Sequence, residues 1–153
     1  MTRLRRAWRR VRALSWGQRG QLMQASLLLA LVGMGLRLFG LRRVQTVLRW
    51  ASAADTGRDD LPAAQALARI VQTAAAGSAV RPSCLTRSLV LCWMLRRRGL
   101  AAHLRIGVAR PGGRFAAHAW VEHGSFPLTE SEPSGTCYKA FDEALLKGNG
   151  LVP

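Results

Sequence analysis

Between Pro82 and Gly99 the chain is apolar on nearly every side, with Leu85, Leu89, Val90, Leu91, Cys92, Trp93, Met94 and Leu95. A helix that is hydrophobic all round has no face to give to solvent, so it must be a central helix wrapped by other elements. Its ends are marked by local chemistry. Pro82-Ser83 can open it, Arg96, Arg97 and Arg98 suit the negative end of the dipole, and Gly99 can supply a left-handed C-terminal residue. Cys84 then falls in the first turn.

The wrapping has to come from the flanks. Upstream, Ala51 to Asp60 (ASAADTGRDD) is small and polar and reads as a linker. Asp59 or Asp60 can cap a helix that starts near Pro62 and runs over Ala63 to Ala76, ending at Gly77. Downstream come three strand-like runs: Ala102 to Ala109, Arg114 to Glu122 after the turn Arg110-Pro111-Gly112-Gly113, and Ser125 to Thr129 after His123-Gly124. A buried helix followed by an antiparallel meander implies an α+β fold. The remainder has turn signals at Pro133, Ser134 and Gly135 and a short helical run near Phe141 to Leu146. A chain of 153 residues, 49% apolar, has room for one such domain.

The formal charge of +15 is unevenly spread. Residues 1–50 hold eleven Arg and no acid, whereas residues 51–153 hold twelve basic and eight acidic residues. Within residues 1–19 the Arg alternate with Leu4, Trp8, Val11 and Leu14 at helical spacing, the pattern of a basic amphipathic helix. Gly20 to Leu36 then carries no charge. It falls short of the about 20 apolar residues of a membrane span and is diluted by Gln21, Gln24 and Ser26. The first expectation for it is a helix packed on the domain or on a partner, then an interfacial helix, then a span. Residues 1–50 thus read as a basic, partly apolar helical extension, 51–60 as a linker and 61–153 as the functional domain. An Arg field of this density attracts nucleic acid, anionic lipid or an acidic partner alike. The segment is Leu-rich and carries no nucleic-acid recognition module, so nucleic acid is not expected.

Cys84, Cys92 and Cys137 form no CxxC pair, and with only three His a closed metal site has few ligands. No metal site is expected from these counts, and the thiols point to a reducing, cytoplasmic setting. Free Cys is most often a small buried hydrophobe, a reading that suits Cys92 and, for want of a better one, Cys137. Cys84 differs, because a helix N-terminus directs unpaired amides and the positive end of the dipole at its sulfur and so favours a nucleophilic thiolate. A base is needed. His118 stands in Phe115-Ala116-Ala117-His118-Ala119-Trp120-Val121, where small Ala neighbours leave room for an approaching group; His103 and His123 lack that setting. The third member should hold the imidazole in the right tautomer, and Glu130 ends the strand after the His123-Gly124 turn. Glu132 is the runner-up. Glu122 competes, but it lies four residues from His118 on the same strand, about 13 Å away.

Across Cys84-Leu85-Thr86-Arg87-Ser88-Leu89-Val90-Leu91, Leu95-Arg96-Arg97-Arg98-Gly99, Arg105-Ile106-Gly107-Val108 and Ala117-His118-Ala119-Trp120-Val121-Glu122, the chain resembles the lasso-peptide B protein, the leader peptidase of lasso-peptide biosynthesis. The resemblance spans roughly residues 61–132 and matches the stand-alone peptidase form, including its basic Leu-rich N-terminal segment. It implies a papain/transglutaminase-like fold, with the Cys-bearing helix packed on a small antiparallel sheet. It also implies a cysteine peptidase that needs no cofactor, with Cys84, His118 and Glu130 as triad, the family's usual Asp being replaced by Glu. The implied substrate is a ribosomal lasso precursor, cut after its leader. A separate leader-recognition protein and an ATP-dependent macrolactam cyclase are the implied partners, and residues 1–50 are an expected membrane-surface contact at the inner face.

Two other readings compete. The same fold could pass the acyl group to an amine, as transglutaminases do, or the domain could be a non-catalytic scaffold with a basic membrane- or nucleic-acid-contacting arm.

Overall fold

The computed structural model describes residues 16–50, 57–109, 116–129 and 139–140. Their elements are α1 (Trp16–Trp50), α2 (Leu61–Gly77), α3 (Cys84–Arg96), β1 (His103–Ala109), β2 (Ala116–His123), β3 (Phe126–Pro127) and β4 (Lys139–Ala140). The fold is α+β, three helices against one small antiparallel sheet of order β3-β2-β1-β4.

α3 is the central helix that its composition requires. Thr86 and every residue from Ser88 to Leu95 are buried, and Leu91 and Leu95 are wholly so. Truncating either Leu to Ala would cost about 2–5 kcal/mol through lost transfer energy and the cavity left behind. The helix is shorter than the Pro82–Gly99 signal because Ser83 caps it and its last turn tightens. Gly99, at φ 68, ends it in the left-handed region, and the amide of Leu100 returns to the carbonyl of Leu95.

α2 begins with the side chain of Asp60 accepting from the amide of Ala63 and with Pro62 in its first turn. Both features satisfy or remove amides that have no intrahelical acceptor. Its inward stripe of Ala64, Leu67, Ala68, Val71, Ala74 and Ala75 is mostly small, which lets neighbouring helices approach closely.

α1 packs against both α2 and α3. Ala25, Leu29 and Val32, spaced four and three residues apart, place one stripe of it in the common core. The segment is the first of the three alternatives offered by its sequence, a helix packed on the domain. It is also long and apolar enough, by length and composition, to cross a membrane. It is not one rod. Gly40, at φ 76 and ψ 171, breaks it, and a Cβ on Gly35 would lie 3.2 Å from the Val44 side chain. In an uninterrupted helix those residues stand about 13.5 Å apart, so the chain folds back on itself after Gly40.

In the sheet, β1 and β2 pair with Gly107 opposite His118, Arg105 opposite Trp120 and His103 opposite Glu122. Strand alternation puts Leu104 and Val121 into the core and His118, Trp120 and Glu122 on the other face. Gly124, at φ 58, makes the turn into β3. The third strand is only two residues long, shorter than the Ser125 to Thr129 run, because past Pro127 the ladder to β2 gives way to single bonds. The amide of Leu128 donates to the carbonyl of Val121, and the amide of Val121 donates to Thr129 Oγ1.

Residues 57–60, at the end of the small polar segment, are pinned to the domain. Arg58 bridges Leu100 in parallel. Asp59 Oδ1 stands 2.9 Å from Nε2 of the buried His123, close but off the hydrogen-bonding direction. The Nδ1 of His123 lies 2.6 Å from the carbonyl of Ala101.

Candidate active site

Cys84 is the first residue of α3, a free and partly exposed thiol. Ser83 holds the helix start: its hydroxyl accepts from the amide of Thr86 and lies 2.9 Å from Thr86 Oγ1. The carbonyl of Ser83 takes the amide of Arg87. Helix geometry leaves the amides of Cys84 and Leu85 without intrahelical acceptors, so they are available as the kind of donor an oxyanion needs.

Two sets of contacts orient α3 on the sheet. Near its start, the buried Ser88 hydroxyl donates to the carbonyl of Ala119 at 2.9 Å. Further on, Cys92 Sγ and the Arg96 guanidinium approach the carbonyl of Ala102, next to the His103–Glu122 pair. α3 and β2 therefore run in the same sense. Cys84, one turn or about 6 Å before Ser88, lies on the side of Ser88 that faces the start of β2.

The side of β2 involved is its edge. The amide and carbonyl of Val121 point toward the β3 side, and those of Ala119, two residues earlier, point the same way. There β3 has ended, and the Ser88 hydroxyl takes the carbonyl instead. The beginning of α3 thus covers the stretch of β2 edge that β3 leaves open.

His118 is buried on that strand and stacks on Trp120, with ring centroids 6.1 Å apart and planes 15° apart. Among the described residues Cys84 makes no hydrogen bond to it. Glu130, Glu132 and Cys137 lie outside the described residues; Thr129, just before Glu130, is held at Val121.

The competing groups have other partners. Glu122 accepts from Arg105 Nε and from Trp120 Nε1, each at 2.9 Å. Burial pushes its carboxyl up, but those hydrogen bonds and the charges of Arg105 and His103 outweigh burial and hold its pKa below the ordinary value. His123 is engaged with Ala101 and Asp59, and Cys92 is buried inside the core.

A groove of about 640 Å³ opens beside Ser83 and Thr86, the neighbours of Cys84, with Leu29, Gly33 and Met34 of α1 as its far wall and Arg81 on its rim. Sequence reasoning missed this wall. No local pattern in α1 says which other helix it will face. It missed Ser88 as well, since a Ser in an apolar helix gives no hint of a partner thirty-one residues away.

Searches among curated proteins and among solved structures each gave no match. The profile of the Transglutaminase-like superfamily matches residues 26–141, a span that takes in the α1 wall of the groove, Cys84, His118 and Glu130. With three quarters of its length inside that match, the chain belongs to the transglutaminase-like superfamily.

Proposed function

We propose that the protein is a cysteine peptidase that removes the leader from a ribosomally made lasso-peptide precursor. The observation that supports this most is the Ser88–Ala119 hydrogen bond, which ties the helix that begins at Cys84 to the strand that carries His118. Superfamily membership adds weight, because its members are usually cysteine peptidases or acyl transferases.

In this reading the Cys84 sulfur attacks the carbonyl carbon of the scissile amide while His118 takes the thiol proton. The tetrahedral oxyanion is met by the amide of Cys84. The C–N bond breaks as His118 returns the proton to the leaving amine, which leaves the acyl group on sulfur as a thioester. Water activated by His118 then attacks, releasing a carboxylic acid and the thiol. Glu130 orients His118 without exchanging protons. The groove beside Ser83 and Thr86 receives the peptide, and the leader-recognition protein and the cyclase act on the same precursor. No cofactor takes part in this scheme.

The test is cleavage of candidate precursor peptides, with and without a leader-recognition protein, followed by mass spectrometry. Cys84→Ala should abolish cleavage, whereas Cys92→Ala and Cys137→Ala should retain it. Cleavage by folded Cys84→Ala at a rate near wild type would remove the assignment. A product carrying an added amine instead of water would assign the chain to acyl transfer, the reaction its superfamily's name describes.

A further inference from the structure

A helix that packs on a soluble domain normally turns a charged face to water. α1 does not. Opposite the core stripe of Ala25, Leu29 and Val32 runs a second apolar stripe: Trp16, Met23, Leu27, Leu31 and Leu38, each between 58% and 85% exposed. At 100° per residue these five fall on one side of the helix, and the stripe is about 33 Å long. Among the described residues nothing covers it.

Its surroundings are cationic. Arg37 and Arg43 are exposed, Arg19 lies over the Trp16 ring at 5.0 Å, and residues 1–50 contain eleven Arg and no acid. Two copies meeting through this face would bring two Arg fields together, which costs energy unless anions intervene. A surface that is itself negative and apolar just below meets both demands at once.

We infer that this face of α1 lies on an anionic lipid bilayer, with the stripe sunk into the headgroup boundary and the Arg among the lipid phosphates. The helix lies along the surface and does not cross it. Its opposite stripe is committed to α2 and α3, so a spanning position would drag the domain into hydrocarbon. Arg flanks with an apolar face on the other side are what an interfacial helix uses. The inference is independent of the peptidase reading, because cleavage of a soluble precursor does not enter its test.

The experiment is flotation of the full chain with phosphatidylglycerol–phosphatidylcholine vesicles and with phosphatidylcholine vesicles, over a salt series, with sedimentation to read oligomeric state. Wild type should float with the anionic vesicles, less with the neutral ones, and less as salt rises. Met23→Gln/Leu27→Gln/Leu31→Gln, at exposed positions, should melt like wild type and bind at least about tenfold more weakly. Arg37→Gln/Arg43→Gln should weaken binding by about fivefold per Arg, and it serves if the triple variant fails to fold. Wild-type binding by both variants, or a wild-type chain that ignores anionic vesicles, overturns the inference. So does a wild-type dimer that does not float and that the triple variant converts to monomer, which would assign the face to a second copy.

Discussion

Replacing Ser88 by Ala removes one hydroxyl and no packing volume of consequence. The hydroxyl is buried and donates to the carbonyl of Ala119 at 2.9 Å. Without it, a carbonyl at the covered edge of β2 loses its partner under α3, where water has little access. Leaving a buried acceptor unpaired costs about 1–3 kcal/mol. For a domain of this size each kcal/mol moves the melting temperature by about 3 °C, so the expected fall is roughly 3–9 °C. Ser26→Ala is the control. Its hydroxyl also donates to a backbone carbonyl, that of Leu22 at 2.9 Å, but it is exposed on α1, and the change should stay within about 0.5 kcal/mol. Thermal unfolding followed by circular dichroism reads both. On the proposed function, Ser88→Ala should also lower kcat/KM for precursor cleavage by more than its unfolded fraction explains, because the bond ties the helix that begins at Cys84 to the strand that carries His118. A Ser88→Ala protein that melts within about 1 °C of wild type, or no lower than Ser26→Ala, would refute the reasoning that this bond fastens helix to sheet.

Three further outcomes follow from single residues. Glu130→Ala should be strongly impaired in precursor cleavage while folding normally, Glu130→Asp should be tolerated because the carboxylate survives, and Glu132→Ala should stay close to wild type; a defect confined to Glu132→Ala moves the orienting role there. The lowered pKa of Glu122 means that its ionised form stabilises the fold above its ordinary value near 4.5, and that this contribution is lost as pH falls through the folded value. Melting temperatures of Glu122→Gln should accordingly decline less steeply than wild type below about pH 5, and parallel curves would contradict the sign. Gly124→Ala meets no atom within 4 Å, yet its φ of 58 is strained for any L side chain, so urea unfolding should show a loss of about 1 kcal/mol from backbone conformation alone.

Local chemistry carried much of the fold. Asp60 and Pro62 mark the start of α2, and Gly99 and the Arg run mark the end of α3, because caps and left-handed glycines act on their own neighbours. The Ala102–Ala109 and Arg114–Glu122 runs find each other across a short connection, and alternation fixes which face each residue takes. What stayed hidden depends on distant partners. α1 is apolar on both its buried and its exposed sides, so no periodicity tells the two apart. The break at Gly40 follows one glycine among several in α1, and nothing local distinguishes it from Gly33 or Gly35. Asp59 looked like a possible helix cap until the fold brought His123 to it. At the candidate site, the start of a helix at Cys84 and the strand around His118 were legible from local signals, whereas the Ser88 contact and the α1 wall of the groove exist only once the layers are assembled.

The pinning of residues 57–60 also bears on the order in which the molecule comes apart. Asp59 and His123 are separated by roughly sixty residues of chain, and the Arg58–Leu100 bridge closes a loop of some forty. Bringing such distant ends together gives up chain entropy that only a few contacts repay. The helices and the β1–β2 hairpin can form from nearer neighbours, so this short strap closes late and is the first unit to open. Amides of Arg58 and Ala101, bonded to Gly99 and Arg58 across the strap, should therefore exchange with solvent through a local opening well below the free energy that guards the interior of α3.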